Sequence, residues 1–166
     1  MTLRIILFLF LIEIASLSYG QLSLQKMCQQ VLTKEKLDSP YSFKKSTKVD
    51  GHSEIILKYL GIIKTIDGRL FKVLTYEFIW GPNFHTSASI YIFNNKNQYV
   101  GQYYLGGAVD LPIQLKNDSL MFTNDDNDSC DKNLSTVISL RKGLPKKIFI
   151  KCKGVYGDLY SFSSED

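Results

Sequence analysis

The stretch EIILKYLGIIKTIDGRLFKVLTYEFIW, Glu54–Trp80, decides the fold. Two apolar runs, Glu54–Ile66 and Arg69–Trp80, flank Asp67-Gly68. Asp-Gly between such runs is a strong hairpin signal, because a type I′ turn needs positive φ at both central positions. A two-residue turn also fixes the register. It sets Lys58 opposite Glu77, a favourable cross-strand charge pair. It sets Leu57 opposite Phe78, Tyr59 opposite Tyr76, and Ile55 opposite Trp80. Those six apolar residues then share one face with Leu74. The other face mixes Lys58, Lys64, Arg69, Thr75 and Glu77 with Leu60, Ile62, Phe71 and Val73. One side is core and the other is mixed.

The period of two continues downstream. Thr86–Phe93 and Gln98–Leu105 flank the turn NNKN; Leu111–Lys116 and Ser119–Thr123 flank Asn117-Asp118; Leu134–Arg141 and Lys146–Lys153 flank KGLP. A last strand fits Asp158–Phe162. Tightly turned strands in series predict a mainly β fold. The expectation is an antiparallel β-meander of eight or nine strands, a small barrel or a sandwich, with one short N-terminal α-helix. That helix comes from 21–37, where Leu24, Met27, Cys28, Val31 and Leu32 recur at i, i+3, i+4, i+7 and i+8. It could plug a barrel. Asp38–Asp50, DSPYSFKKSTKVD, reads as a polar connector.

The first twenty residues, MTLRIILFLFLIEIASLSYG, have the layout of a secretory signal cut after Gly20. Arg4 opens it, Ile5–Ile12 is unbroken apolar chain, and Ser18 and Gly20 are small. Glu13 stops the apolar run short of the roughly 20 residues a membrane-spanning helix needs. The predicted organisation is a signal peptide over 1–20, helix and connector over 21–50, and an antiparallel β domain over 51–166 that forms one domain with 21–50. The expected location is extracytoplasmic, in the periplasm or secreted.

The net charge of +4 is too mild for a nucleic-acid-binding balance. The cysteines are Cys28, Cys130 and Cys152. In an oxidising compartment three cysteines leave one disulfide and one thiol. Their scattered spacing does not suit zinc. Cys130 lies just before the strand at Leu134, and a hairpin turned at Lys142–Pro145 brings Cys152 opposite Ser135. A Cys130–Cys152 bridge is therefore predicted if the Cα atoms come within about 7 Å. Cys28 is left on the apolar face of the helix.

Three further stretches invite a chemical reading. In NDDNDSCDK, Asn124–Lys132, Asp125, Asn127 and Ser129 alternate as calcium ligands do. The glycine and the closing glutamate of a calcium loop are replaced by Cys130 and Thr136, so a wet loop is predicted and no metal site. Asn117, Asn127 and Asn133 each head an N-x-S sequon, used only in a host that glycosylates. In WGPNFHTS, Trp80–Ser87, the only tryptophan sits near one of two histidines. No G-x-S-x-G elbow accompanies it. The segment reads as a connection with Trp80 packed and His85 exposed; if the fold has a ligand pocket, Trp80 and His85 are placed at its rim. In KKIFIKCK, Lys147, Lys151 and Lys153 point one way with Phe149, and Ile148, Ile150 and Cys152 point the other. Such a row solvates a sheet face, guards an edge, or meets an anionic surface.

No phosphate loop or paired-carboxylate signature stands out, and no cofactor is expected. The expected function is a non-enzymatic binding or envelope-associated module for a small ligand, a glycan or a protein. No nucleic acid and no transmembrane segment of the mature chain enter this reading. An inhibitor or immunity-type protein acting through an exposed surface is one alternative; a hydrolase with a site assembled from distant strands is the other.

Overall fold

A computed structural model describes residues 24–47, 51–124 and 130–164. The signal-peptide reading and Asp125, Asp126 and Asp128 of the acidic loop lie outside them. The fold is mainly β, antiparallel throughout its ladders, with one N-terminal helix. Helix α1 runs over 24–34, and its apolar stripe packs as the spacing predicts. The strands are β1 Pro40–Thr47, β2 Gly51–Lys64, β3 Leu70–Trp80, β4 His85–Asn94 and β5 Tyr99–Gly106. A 3-10 turn, Ala108–Asp110, follows. Then come β6 Gln114–Lys116, β7 Ser119–Thr123, β8 Ser135–Ser139, β9 Lys147–Lys153 and β10 Tyr156–Ser164. Seven strands form one sheet in the order β1-β2-β3-β4-β5-β10-β9, and β6-β7-β8 form a second.

The central hairpin is present with a different register. Thr65 N donates to Arg69 O at 3.0 Å and Gly68 N to Thr65 O at 2.9 Å, so the loop holds three residues, with Gly68 at φ 84. That is a type I turn closed by a left-handed glycine rather than a type I′ turn. It moves the pairing by one residue. A bulge at Tyr59/Gly61 moves it by another. Lys58 therefore faces Thr75, Glu77 faces Ile56, Leu57 faces Tyr76, Ile55 faces Phe78, and Ser53 faces Trp80. Two one-residue shifts restore the parity of a period-two strand. Leu57, Tyr59 and Leu74 thus still share one face, as expected, although every predicted partner is wrong.

Two other expectations are corrected. The polar connector is in part a strand: β1 pairs with β2 from Pro40↔Lys58 to Thr47↔Gly51. Tyr41 and Phe43 alternate onto the face that meets α1, a pattern masked by the surrounding serines and lysines. KGLP is not a hairpin turn. β8 pairs with β7 and β9 pairs with β10, so the segment crosses between sheets. Tyr103 O–H donates to Pro145 O at 2.7 Å and pins that crossover. Asn117-Asp118 does turn as read, with φ 51 and 56 and Lys116 facing Ser119.

The small sheet bridges the two flanks of the large one. On the β2 side, Lys64 N donates to Asp118 Oδ1 at 2.8 Å and Ile66 N to Arg141 O at 2.8 Å. On the β9 side, Lys151 N donates to Thr136 Oγ1 at 2.9 Å and Asp131 N to Cys152 O at 2.7 Å. The Cys130–Cys152 disulfide closes that corner, Cα to Cα 4.5 Å. The result is a barrel-like wrap whose ladder is interrupted at both seams. Its interior is solid near the bridge, filled by Ile63, Phe71, Val73, Ile90, Ile92, Tyr103, Leu120 and Ile148. Helix α1 does not plug this interior. It covers the opposite, outer face of β2–β4, where Val31 and Leu32 are fully buried among Leu57, Leu74 and Phe93. Burying side chains of this size is worth about 1.5–3 kcal/mol each. Lys72, on that outer face, is buried and paired with Glu35 just beyond the helix at 2.6 Å.

Candidate functional site

The inner face of β2 and β3 changes character along its length. Near the bridge it carries Leu60, Ile63, Phe71 and Val73, all in the core. Farther along the same face come Lys58 with Thr75, then Ile56 with Glu77, then Glu54 with Ile79. Strand β1 adds Ser42 beside Ile56 and Lys44 beside Glu54. Inward-pointing charge on strands that otherwise build a core costs folding energy unless it is paired. The change therefore marks a place where packing has been given up.

Opposite these residues the 3-10 turn and the chain after it supply Val109, Leu111, Pro112 and Ile113. Tyr160 O–H donates to Asp110 Oδ2 at 3.0 Å and fixes the turn. Asn124 closes one end; its Nδ2 donates to Asp131 O at 2.8 Å and to Cys152 O at 3.1 Å, so the disulfide corner holds it. A cleft of about 590 Å³ lies between the two walls. That size is in the range of small-molecule sites. One wall offers Lys58, Thr75 and Glu77, the other a run of aliphatic side chains.

The electrostatics are uneven. Glu54, 12 % exposed, accepts a hydrogen bond from Ser42 Oγ at 2.5 Å and sits 3.5 Å from Lys44 Nζ and 3.3 Å from His52 Nε2. The Ser42 hydrogen bond first, then the neighbouring cations, hold its carboxyl below the usual carboxylate range. Glu77 is displaced the other way. Burial first, then the charge of Glu54, pushes its carboxyl up. Neither Lys58 nor Glu77 forms an ion pair within 4.0 Å among the described residues.

A second cavity of about 310 Å³ opens where the first turns of α1 meet β4 and β5. Tyr91, Phe93 and Tyr99 form its aromatic wall, each pair edge-on with centroids 5.6 to 6.5 Å apart. Gln29 Nε2 donates to Asn97 O at 2.5 Å across its mouth. Asn97 Oδ1 is buried there with no hydrogen-bond partner among the described residues. The Cys28 thiol lines the floor, and burial pushes it up to about 12. Such a thiol is inert.

The residues singled out in the sequence fall as follows. Trp80 stacks on Phe78 on the outer face, centroids 5.1 Å apart, with its cross-strand partner His85 5.9 Å away. Neither is among the residues lining these two cavities. Cys130 and Cys152 are bridged and Cys28 is free. His52 has the carboxylate partner that the sequence did not reveal. Lys58, Thr75 and Glu77 were visible as a mixed face but not as a site. Their signal was the switch from apolar to charged residues along one face of a single hairpin. Among the described residues no group of three His, Cys, Asp or Glu side chains could hold a metal ion, and no helix is long and apolar enough to cross a membrane.

Fold and cleft together define a small antiparallel β protein, wrapped around one core, with a helix on its outer face and a mixed polar-aliphatic cleft within. No family model, curated protein or solved structure matches the chain.

Proposed function

We propose that the chain is a non-enzymatic binding module whose cleft takes a small amphiphilic anion. The observation that carries this is Lys58: half-buried on the inner face, with no carboxylate within 4.0 Å among the described residues. An ammonium placed there is open to a ligand acid group, although Asp38 and Glu77 line the same cleft. The aliphatic wall of Val109, Leu111 and Ile113 faces it and accepts an apolar body. The Thr75 hydroxyl supplies a hydrogen bond that orients the ligand. The extracytoplasmic setting expected from the leader agrees with a disulfide-bonded fold.

Titration calorimetry with small carboxylates of increasing aliphatic length tests the reading. Affinity should rise with chain length and fall at least tenfold in Lys58→Met, the loss of a charge-assisted contact worth about 1.5–3 kcal/mol. Equal affinity for the matching neutral alcohols would refute it.

One observation favours a hydrolytic reading as well. Glu54 and Glu77 are neighbours on the inner face and are displaced in opposite directions, the pattern of a base and an acid. The Ser42–Glu54–His52 cluster is not a nucleophile relay, because the carboxylate, not the imidazole, receives the serine proton donor. Turnover of an ester or glycoside that disappears in both Glu54→Gln and Glu77→Gln would select this reading over pure binding.

A further inference from the structure

The β9–β10 hairpin carries a surface that neither the core nor the cleft explains. Ile148 and Ile150 of β9 are buried in the core, so Lys147, Phe149, Lys151 and Lys153 face outward. On β10, Leu159 pairs with Phe149, Gly157 with Lys151 and Tyr156 with Lys153, around a turn at Gly154-Val155. Helix α1 covers the outer face of β2–β4 and contributes nothing here. Val155 is 84 % exposed, Tyr156 76 % and Leu159 57 %. The Phe149 ring lies over Gly157, where a Cβ would sit 2.8 Å from Phe149 Cζ, and links tip to strand in one apolar strip.

Lysines flank that strip. None of Lys147, Lys151 and Lys153 has a carboxylate within 4.0 Å among the described residues. Lysines alone would describe a solvated sheet face, and the apolar strip alone an aggregation hazard. Together they complement an anionic lipid surface, where aliphatic and tyrosine side chains seat at the headgroup boundary and ammonium groups meet phosphates. A soluble polyanion would use the lysines and leave Val155, Tyr156 and Leu159 in water. The disulfide at Cys152 ties β9 to Cys130 just before the turn of the hairpin.

We propose that the β9–β10 hairpin docks the protein on an anionic lipid bilayer, with Val155 and Tyr156 entering the interface and Lys147, Lys151 and Lys153 contacting headgroup phosphates. This surface is separate from the ligand cleft and does not depend on it.

Vesicle flotation of the disulfide-intact protein tests the assignment. Phosphatidylcholine vesicles are compared with the same vesicles containing phosphatidylglycerol, and heparin serves as a soluble polyanion. Binding is expected only to the anionic vesicles, weakening about fivefold for each lysine changed to glutamine and about a hundredfold when all three are changed. Val155→Ser with Tyr156→Ser should weaken vesicle binding about tenfold and leave any heparin binding unchanged. All five positions are exposed, so an unchanged circular dichroism spectrum is expected and separates docking from folding. Failure to float with anionic vesicles overturns the proposal. So does vesicle binding that ignores Val155 and Tyr156 while heparin competes fully, which would make the hairpin a soluble-polyanion site.

Discussion

Replacing Cys130 and Cys152 by serine tests how the small sheet is held to β9. The bridge spans a sequence separation of 22 residues. Loop-closure entropy for a segment of that length corresponds to about 3.4 kcal/mol of stability, acting through the unfolded chain. The folded corner keeps its other ties: Asp131 N to Cys152 O, and Asn124 Nδ2 to both Asp131 O and Cys152 O. The native contacts therefore survive, and the loss should appear as a freer unfolded state. For a domain of this size the expected fall in Tm is about 10 °C. Urea unfolding should show a lower midpoint and a steeper m, because the uncrosslinked chain exposes more surface. Cys28→Ala is the control, costing about 1 kcal/mol through a small cavity and leaving the bridge intact. A loss below about 1 kcal/mol in the double variant would refute the assigned role of the corner. Peptide mapping that found Cys28 bridged would refute the pairing itself.

Three further outcomes follow from the geometry. Glu77 has its folded pKa raised, so the folded state holds its proton more tightly and stability falls as pH rises from the ordinary carboxylate range through the raised one. Glu54 has its folded pKa lowered, so its contribution is present at neutral pH and is lost as pH falls through that lowered value. At pH 7, Glu77→Gln should therefore raise the urea midpoint and Glu54→Gln should lower it; equal signs would contradict the assignment. Cys28 should resist alkylation at pH 8 in the folded protein and react only after denaturation, as mass spectrometry of the labelled thiol would show. Gly157→Ala should cost at least about 2 kcal/mol in chemical denaturation, because its Cβ would sit 2.1 Å from Ile150 O, a backbone atom that cannot swing away.

The sequence made the central hairpin legible at the level of faces but not of partners. Asp67-Gly68 signalled a turn, yet only Gly68 of that pair takes the left-handed conformation, and the bulge at Gly61 is marked by nothing more than a lone glycine within the strand pattern. Because two single-residue shifts cancel in parity, Leu57, Tyr59 and Leu74 were assigned to the right side. Strand β1 was missed because its two helix-facing aromatics, Tyr41 and Phe43, stand among residues that also suit a loop. KGLP was misread because proline and glycine mark a reversal without saying which strand waits beyond it; the partner of β9 is β10, not β8. The disulfide was found through strand adjacency, although the contact runs across the seam between sheets rather than along a ladder. The cleft was the least legible feature. Lys58 and Glu77 were read as a charge pair on a mixed face, and only the curl of the large sheet against the segment after Gly107 turns that face into a wall. Trp80 and His85 drew attention as rare residues, yet their hairpin end carries them to the outer face.

The proposed anion at Lys58, on the inner face of β2 and β3, is open to direct observation. Native mass spectrometry of the protein recovered from its own compartment tests it most directly. One bound small acid per chain is expected, released on denaturation and absent from Lys58→Met prepared in the same way. A wild-type chain that carries nothing, or a Lys58→Met chain that keeps the same ligand, would contradict it.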